Sequence, residues 1–215
     1  MNKERIFVGI TGASGVIYGV RTVRALAELG HSVDVAITDA GLRVLAIELG
    51  IRVDVKNRDI RSLSLGAHES RVRLFDNHSI EAGPASGTYP ISKVIIVPCS
   101  MGTIGRIANG YSSCLIERVA DVAFKEARPL LIIPRETPLS KIHLDHLNRL
   151  AWAGARIIPA MPAFYHLPKT IDDLVDHLVA KILDAAGIEH QLSKRWGAPQ
   201  KQDVPGDDLG EGCDA

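Results

Sequence analysis

The 215 residues are 46% hydrophobic, enough to bury one full core, and 25 basic side chains balance 25 acidic ones. That balance removes the global field that draws a protein to nucleic acid or to an anionic membrane surface, so an anionic ligand needs a local cluster. Cys99, Cys114 and Cys213 form no CxxC pair, which argues against a zinc site and suits a reducing cytoplasm, and neither a signal pattern nor a bilayer-length apolar run is present.

In chain order, the apolar runs Ile6 to Ile10, Val33 to Ile37, Val94 to Val97, Leu130 to Ile133 and Ile157 to Ile158 read as buried parallel strands. Between them, Val16 to Leu29, Ala40 to Leu49, Ser113 to Lys125 and Leu139 to Trp152 carry apolar residues at helical spacing, and Ile171 to Ala186 adds a last helix. The alternation predicts an α/β, Rossmann-like, doubly wound parallel sheet. Gly30 and Gly154 stand just beyond two of these helices, where a left-handed residue ends a helix most easily as glycine. Val53 to Pro90 is less periodic and reads as irregular excursions between strands. One domain is expected over residues 1–197, with the Gly- and Asp-rich stretch 198–215 as a mobile tail. There is no internal repeat.

The first strand runs into Thr11-Gly12-Ala13-Ser14-Gly15 and then a helix containing Tyr18-Gly19. Small residues there let backbone N–H groups meet an anion at a helix N-terminus, although without a full GxGxxG pattern the same turn could bind nothing. Pro98-Cys99-Ser100-Met101-Gly102-Thr103 follows Val94 to Val97 in the same context. In an open α/β sheet both loops, with Thr38 after the second strand, can face one crevice, where hydroxyls and amides suit a phosphate without a metal.

These loops fall in a longer ordered set: Thr11-Gly12-Ala13-Ser14-Gly15, Pro84-Ala85-Ser86-Gly87, Pro98-Cys99-Ser100, Leu115-Ile116-Glu117-Arg118, Pro134-Arg135-Glu136, Phe164-Tyr165-His166 and Arg195-Trp196-Gly197. The set, spanning Arg5 to about Gly197, resembles the UbiX family of flavin prenyltransferases. The resemblance implies a homododecameric flavoprotein that joins a dimethylallyl group from dimethylallyl phosphate to N5 and C6 of reduced FMN. Its product, prenylated FMN, would serve a UbiD-type decarboxylase. By similarity, Gly12, Ala13, Ser14, Thr38, Ser100, Met101, Gly102, Thr103 and Arg135 contact FMN. The same similarity implies that Tyr165 and Lys181 contact the prenyl phosphate, with Arg118 and Lys125 as further candidates for that anion from a neighbouring subunit, and Trp196 is a candidate cover for the prenyl pocket.

Allylic C–O cleavage asks for a held leaving group and an aimed carbon, so positioning carries much of the catalysis. Lys125, Arg135 and Lys181 can neutralise the departing phosphate and the Tyr165 hydroxyl can donate to it. Glu136 is expected to shuttle a proton to the phosphate, while Ser14 and Glu48 match catalytic family positions beside flavin N5. Bland readings stand beside these: Glu48 as a solvated helix residue, Arg118 and Lys125 paired with nearby acids, Tyr165 as packing, and Trp196 as an anchor for the tail. His143 and His146 are three apart on a helix but lack a third partner, so no metal is expected.

Two positions depart from the family pattern. Ile80 stands where some relatives carry an aromatic residue, and Lys181 replaces a common arginine, losing bidentate geometry. Rival readings are a flavin-dependent cysteine decarboxylase, whose Pro-Ala-Ser-Ala-Asn-Thr segment differs from Pro84-Ala85-Ser86-Gly87-Thr88, and a non-enzymatic FMN carrier.

Overall fold

A computed structural model describes residues 3–192. Six parallel strands form one sheet in the order β3-β2-β1-β4-β5-β6. They are β1 (Arg5–Ile10), β2 (Ser32–Ile37), β3 (Val72–Asp76), β4 (Lys93–Cys99), β5 (Leu130–Pro134) and β6 (Arg156–Ile157). The helices are α1 (Val16–Glu28), α2 (Asp39–Leu49), α3 (Met101–Ala108), α4 (Leu115–Lys125), α5 (Lys141–Trp152) and α6 (Ile171–Ala185).

Alternation along the strands divides the core. Ile6, Val8, Ile10, Val33, Val35 and Ile37 pack with α1, α2 and α6 on one face of the sheet. Phe7, Ala36, Val94, Ile96 and Ile132 pack with α3, α4 and α5 on the other. Central strands buried on both sides must be apolar throughout, which is why β1, β4 and β5 are legible as continuous runs. Phe7 is fully buried, a contribution of roughly 2–3 kcal/mol relative to exposure.

Two elements go beyond the sequence-based expectation. β3 lies inside the segment expected to be irregular: it is an edge strand, alternating buried Val72 and Leu74 with exposed Arg73 and half-buried Phe75 before it ends at exposed Asp76. α3 begins inside what reads in sequence as a loop, because its eight residues include Gly102 and Gly105, poor helix formers that packing overrides. Gly30 and Gly154 do take left-handed conformations, with φ of 91° and 104°. No helix among the described residues is long and apolar enough to cross a membrane. The expected tail lies outside the described residues.

Candidate functional site

The strand order reverses between β1 and β4, which are paired neighbours. α1 leaves β1 toward one face and α3 leaves β4 toward the other, so the turns at residues 11–15 and 99–100 open a crevice at the C-terminal strand edge. Buried Thr11 ties the turns together: its hydroxyl donates to Pro98 O at 2.9 Å and accepts from the Ser100 amide at 2.7 Å. Sequence reasoning quoted Thr11 but gave it no role, since both partners lie nearly ninety positions away.

The first turn is shaped by α2. A Cβ on Gly12 would stand 2.3 Å from the Ala40 Cβ, so this glycine lets the start of α2 approach the turn. Thr38 caps α2, accepting the Gly41 amide at 3.0 Å. Gly15, left-handed at φ 92°, precedes α1, and its amide donates to the Glu48 carboxylate at 2.9 Å, as does Val16 at 3.3 Å. Glu48, on the last turn of α2, therefore supplies the anion that the N-terminus of α1 attracts. The amides of Gly12, Ala13 and Ser14, just before it, have no acceptor among the described residues.

At the second turn Ser100 caps α3, its Oγ 3.4 Å from the Thr103 amide and 3.1 Å from the Thr103 hydroxyl. Thr103 is buried and also meets Arg106. The first-turn amides of Met101 and Gly102 have no acceptor among the described residues, and a Cβ on Gly102 would find nothing nearer than 3.6 Å. This helix end is open to a ligand where that of α1 is filled.

Arg135 follows β5 with its amide on Cys99 O at 3.3 Å and its side chain exposed, and exposed Glu136 accepts the Thr137 amide. Burial raises the Tyr18 phenol on α1 above its ordinary range, while the charge of Arg135 works the other way, which puts the two within electrostatic reach. The segment after β6 is fastened by Ala160 N to Pro134 O at 2.9 Å and carries Tyr165, whose hydroxyl lies 3.4 Å from His177 Nε2 on α6. Lys181 is exposed one turn further along α6. Unpaired amides, the Ser14 and Ser100 hydroxyls and an adjacent guanidinium form a donor set that fits a flavin phosphate and ring edge.

Comparison with known proteins decides the family. The profile of a family described as Flavoprotein matches residues 1–183. The flavin prenyltransferase UbiX of Halalkalibacterium halodurans is 49% identical over 190 residues, covering 88% of this chain and 92% of the relative.

This chain belongs to the UbiX family.

Solved structures of UbiX proteins agree with the fold. The crystal structure of AnUbiX in complex with FMN and dimethylallyl pyrophosphate superposes with a TM-score of 0.83 at 31% identity, covering 93% of this chain and all of that one. A dodecameric FMN-dependent UbiX-like decarboxylase from Escherichia coli O157:H7 gives 0.81 at 34% identity, covering 90% and 100%.

Of the expected UbiX ligands on α4, Lys125 lies away from this crevice. Asn77, after β3, accepts the Ile116 amide at 3.2 Å through Oδ1 and the Leu115 amide at 2.8 Å through its carbonyl, so α4 starts at the strand C-terminal edge. Its 11 residues run about 16 Å toward the opposite edge. Lys125 thus ends beside Gly87 at the far rim, paired with Glu126, and Arg118 pairs with Asp121 at 2.6 Å. Trp196 lies outside the described residues. His143 reciprocates the Ser140 cap of α5, and His146 packs near Gly105 and Asn109.

Glu117, from the quoted Leu115-Ile116-Glu117-Arg118 segment, has a structural place. Its buried carboxylate is bound by Arg106 and accepts both the amide and the hydroxyl of Ser113 at 2.8 Å. Burial alone would raise its pKa, but these hydrogen bonds outweigh burial and hold it below the usual carboxylate range.

Proposed function

We propose that this protein transfers a dimethylallyl group from dimethylallyl phosphate to N5 and C6 of reduced FMN, releasing phosphate and prenylated FMN. The observation that carries this reading is the open donor set at the β1 and β4 strand ends of a UbiX-family chain. Gly12, Ala13, Ser14, Thr38, Ser100, Met101, Gly102, Thr103 and Arg135 hold FMN, with the free amides of residues 12–14 and 101–102 as the fixed donors. Reduced FMN supplies the electron-rich N5 and C6 that accept the prenyl carbons.

The chain's own groups orient the donor and move protons. Tyr165 and Lys181 hold the phosphate as its C–O bond breaks, so that charge developing on the leaving oxygen meets a hydroxyl and an ammonium. Glu136 passes a proton to that phosphate. Glu48 restrains the turn that presents Ser14. Arg118, Lys125 and the Pro84-Ala85-Ser86-Gly87 segment serve a neighbouring copy's site, a reading supported by the far-rim position of Lys125 and by the dodecameric neighbour. Trp196 covers the prenyl group. The protein works as a homododecamer in the cytoplasm, handing prenylated FMN to a UbiD-type decarboxylase.

Anaerobic incubation with reduced FMN and dimethylallyl phosphate, followed by mass spectrometry of the extracted flavin, tests the reading. A dimethylallyl-sized mass gain only with protein is expected. Unmodified FMN from folded, flavin-loaded protein, with the pyrophosphate donor also tried, would leave the carrier or cysteine decarboxylase reading.

A further inference from the structure

The aromatic cluster at the start of α6 holds a group that the proposed reaction does not use. His177 is buried on α6, and its Nε2 lies 3.4 Å from the Tyr165 hydroxyl, with the two rings edge on at 5.3 Å and 84°. The His166 ring stacks on His177 at 4.3 Å and 9°. Neither His166 nitrogen has a hydrogen-bond partner among the described residues, so its contact with His177 is through the ring face.

The clamp is also fixed along the chain. Thr170 caps α6 by accepting the Asp173 amide at 3.1 Å, and Asp173 in return accepts the Lys169 and Thr170 amides at 2.8 and 2.9 Å. These reciprocal bonds set the turn that separates Tyr165 and His166 from His177. Tyr165 itself is half exposed on a loop, where a phenol O–H ordinarily rotates to suit whichever acceptor is near.

We propose that His177 is a positioning residue for the Tyr165 hydroxyl in prenyl-phosphate binding. The proposal rests on the reading that Tyr165 contacts the phosphate. Nε2–H of His177 donates to Tyr165 Oη, which turns the phenol proton outward to a phosphate oxygen. Burial, with the charges of His166 and Lys181 adding to it, lowers the His177 pKa, so the ring is neutral at neutral pH and can adopt that tautomer. The benefit is pre-organisation: a hydroxyl already aimed loses less freedom when the anion arrives.

The test is a double-mutant cycle on the FMN-loaded protein, reading KM and kcat with dimethylallyl phosphate and its equilibrium binding by calorimetry. His177→Phe keeps the ring and the stack but removes Nε2, and should raise KM about fivefold, the size of one neutral hydrogen bond, with kcat and FMN affinity little changed. His177→Gln restores a donor and should recover much of the loss. Tyr165→Phe should also raise KM, and adding His177→Phe to it should cost nothing more. An unchanged KM in His177→Phe, or losses that multiply in the double variant, would overturn the positioning role while leaving Tyr165 as a ligand. An unchanged KM in Tyr165→Phe would instead remove the Tyr165 reading and this proposal with it. If His177→Phe fails to fold by thermal melting, His177→Gln paired with His177→Asn carries the same comparison.

Discussion

Gly15 and Glu48, 33 positions apart, meet where the Gly15 amide donates to the carboxylate at 2.9 Å, giving α1 an internal anion at its N-terminus. Reading residues 11–15 as an anion site at the helix N-terminus would place a ligand phosphate there. The donors left for a ligand are instead the amides just before Gly15 and those opening α3.

Glu48→Ala should therefore cost about 1 kcal/mol, as loss of a helix cap does, and lower the melting midpoint by about 2–4 °C for a domain of this size. Glu48→Gln, which keeps one acceptor oxygen, should lose less. Millimolar inorganic phosphate should raise the midpoint of Glu48→Ala more than that of the parent, since the vacated amides attract it. Parent-like melting of Glu48→Ala would show that the cap contributes nothing.

Gly12 and Gly102 stand in the same group of expected FMN contacts but should answer differently to alanine. At Gly12 the new methyl lies 2.3 Å from Ala40 Cβ, so the turn or α2 must move, at about 1–3 kcal/mol. At Gly102 it meets nothing nearer than 3.6 Å, and stability should hold or rise by about 0.5–1 kcal/mol through helix propensity. FMN titration separates fold from site: Gly102→Ala should weaken flavin binding while its urea midpoint holds or rises.

The pH response of stability has a defined sign at Glu117. Its folded pKa lies below that of the unfolded chain, near 4.3. On acidification the unfolded state takes up the proton first, so this contribution is complete above about pH 4.3 and fades as pH falls through the folded pKa. Urea unfolding from pH 7 to pH 3 should show a steeper acid loss in the parent than in Glu117→Gln. The variant should also be about 1–3 kcal/mol less stable at pH 7, having lost charge-assisted bonds to Arg106 and Ser113.

Subunit mixing tests the far-rim position of Lys125. Ser14→Ala and Lys125→Ala homo-oligomers should each be impaired. Refolded together, they should regain part of the activity, because some junctions then combine an intact Ser14 from one copy with an intact Lys125 from another. Activity no higher than the average of the two parents would place both residues in one chain's site.

Legibility from sequence followed the range of the interactions. β1, β4 and β5 are readable because strands buried on both faces must be apolar, and β2 because Val33, Val35 and Ile37 keep its run recognisable around buried Asp34, which pairs with Arg5; the turn at residues 11–15 is readable only as small residues at a strand end, a pattern that alone does not require a ligand. The edge strand β3 was not readable, since an edge needs only alternate burial and Arg73 and Asp76 break the run. Nor was α3, whose glycines argue against a helix until packing on the sheet supplies the energy.

By itself the sequence determined the alternating α/β architecture and, through the ordered motifs from Thr11 to His166, the family. Only the tertiary structure decided what each motif residue touches. Glu48 reaches Gly15, Thr11 joins β1 to the turn after β4, and Asn77 anchors α4 so that Lys125 ends at the opposite rim. The physical reason is that periodicity and propensity are local properties of the chain. A hydrogen bond between residues 33 or 89 positions apart exists only after the crossovers have placed their strands side by side.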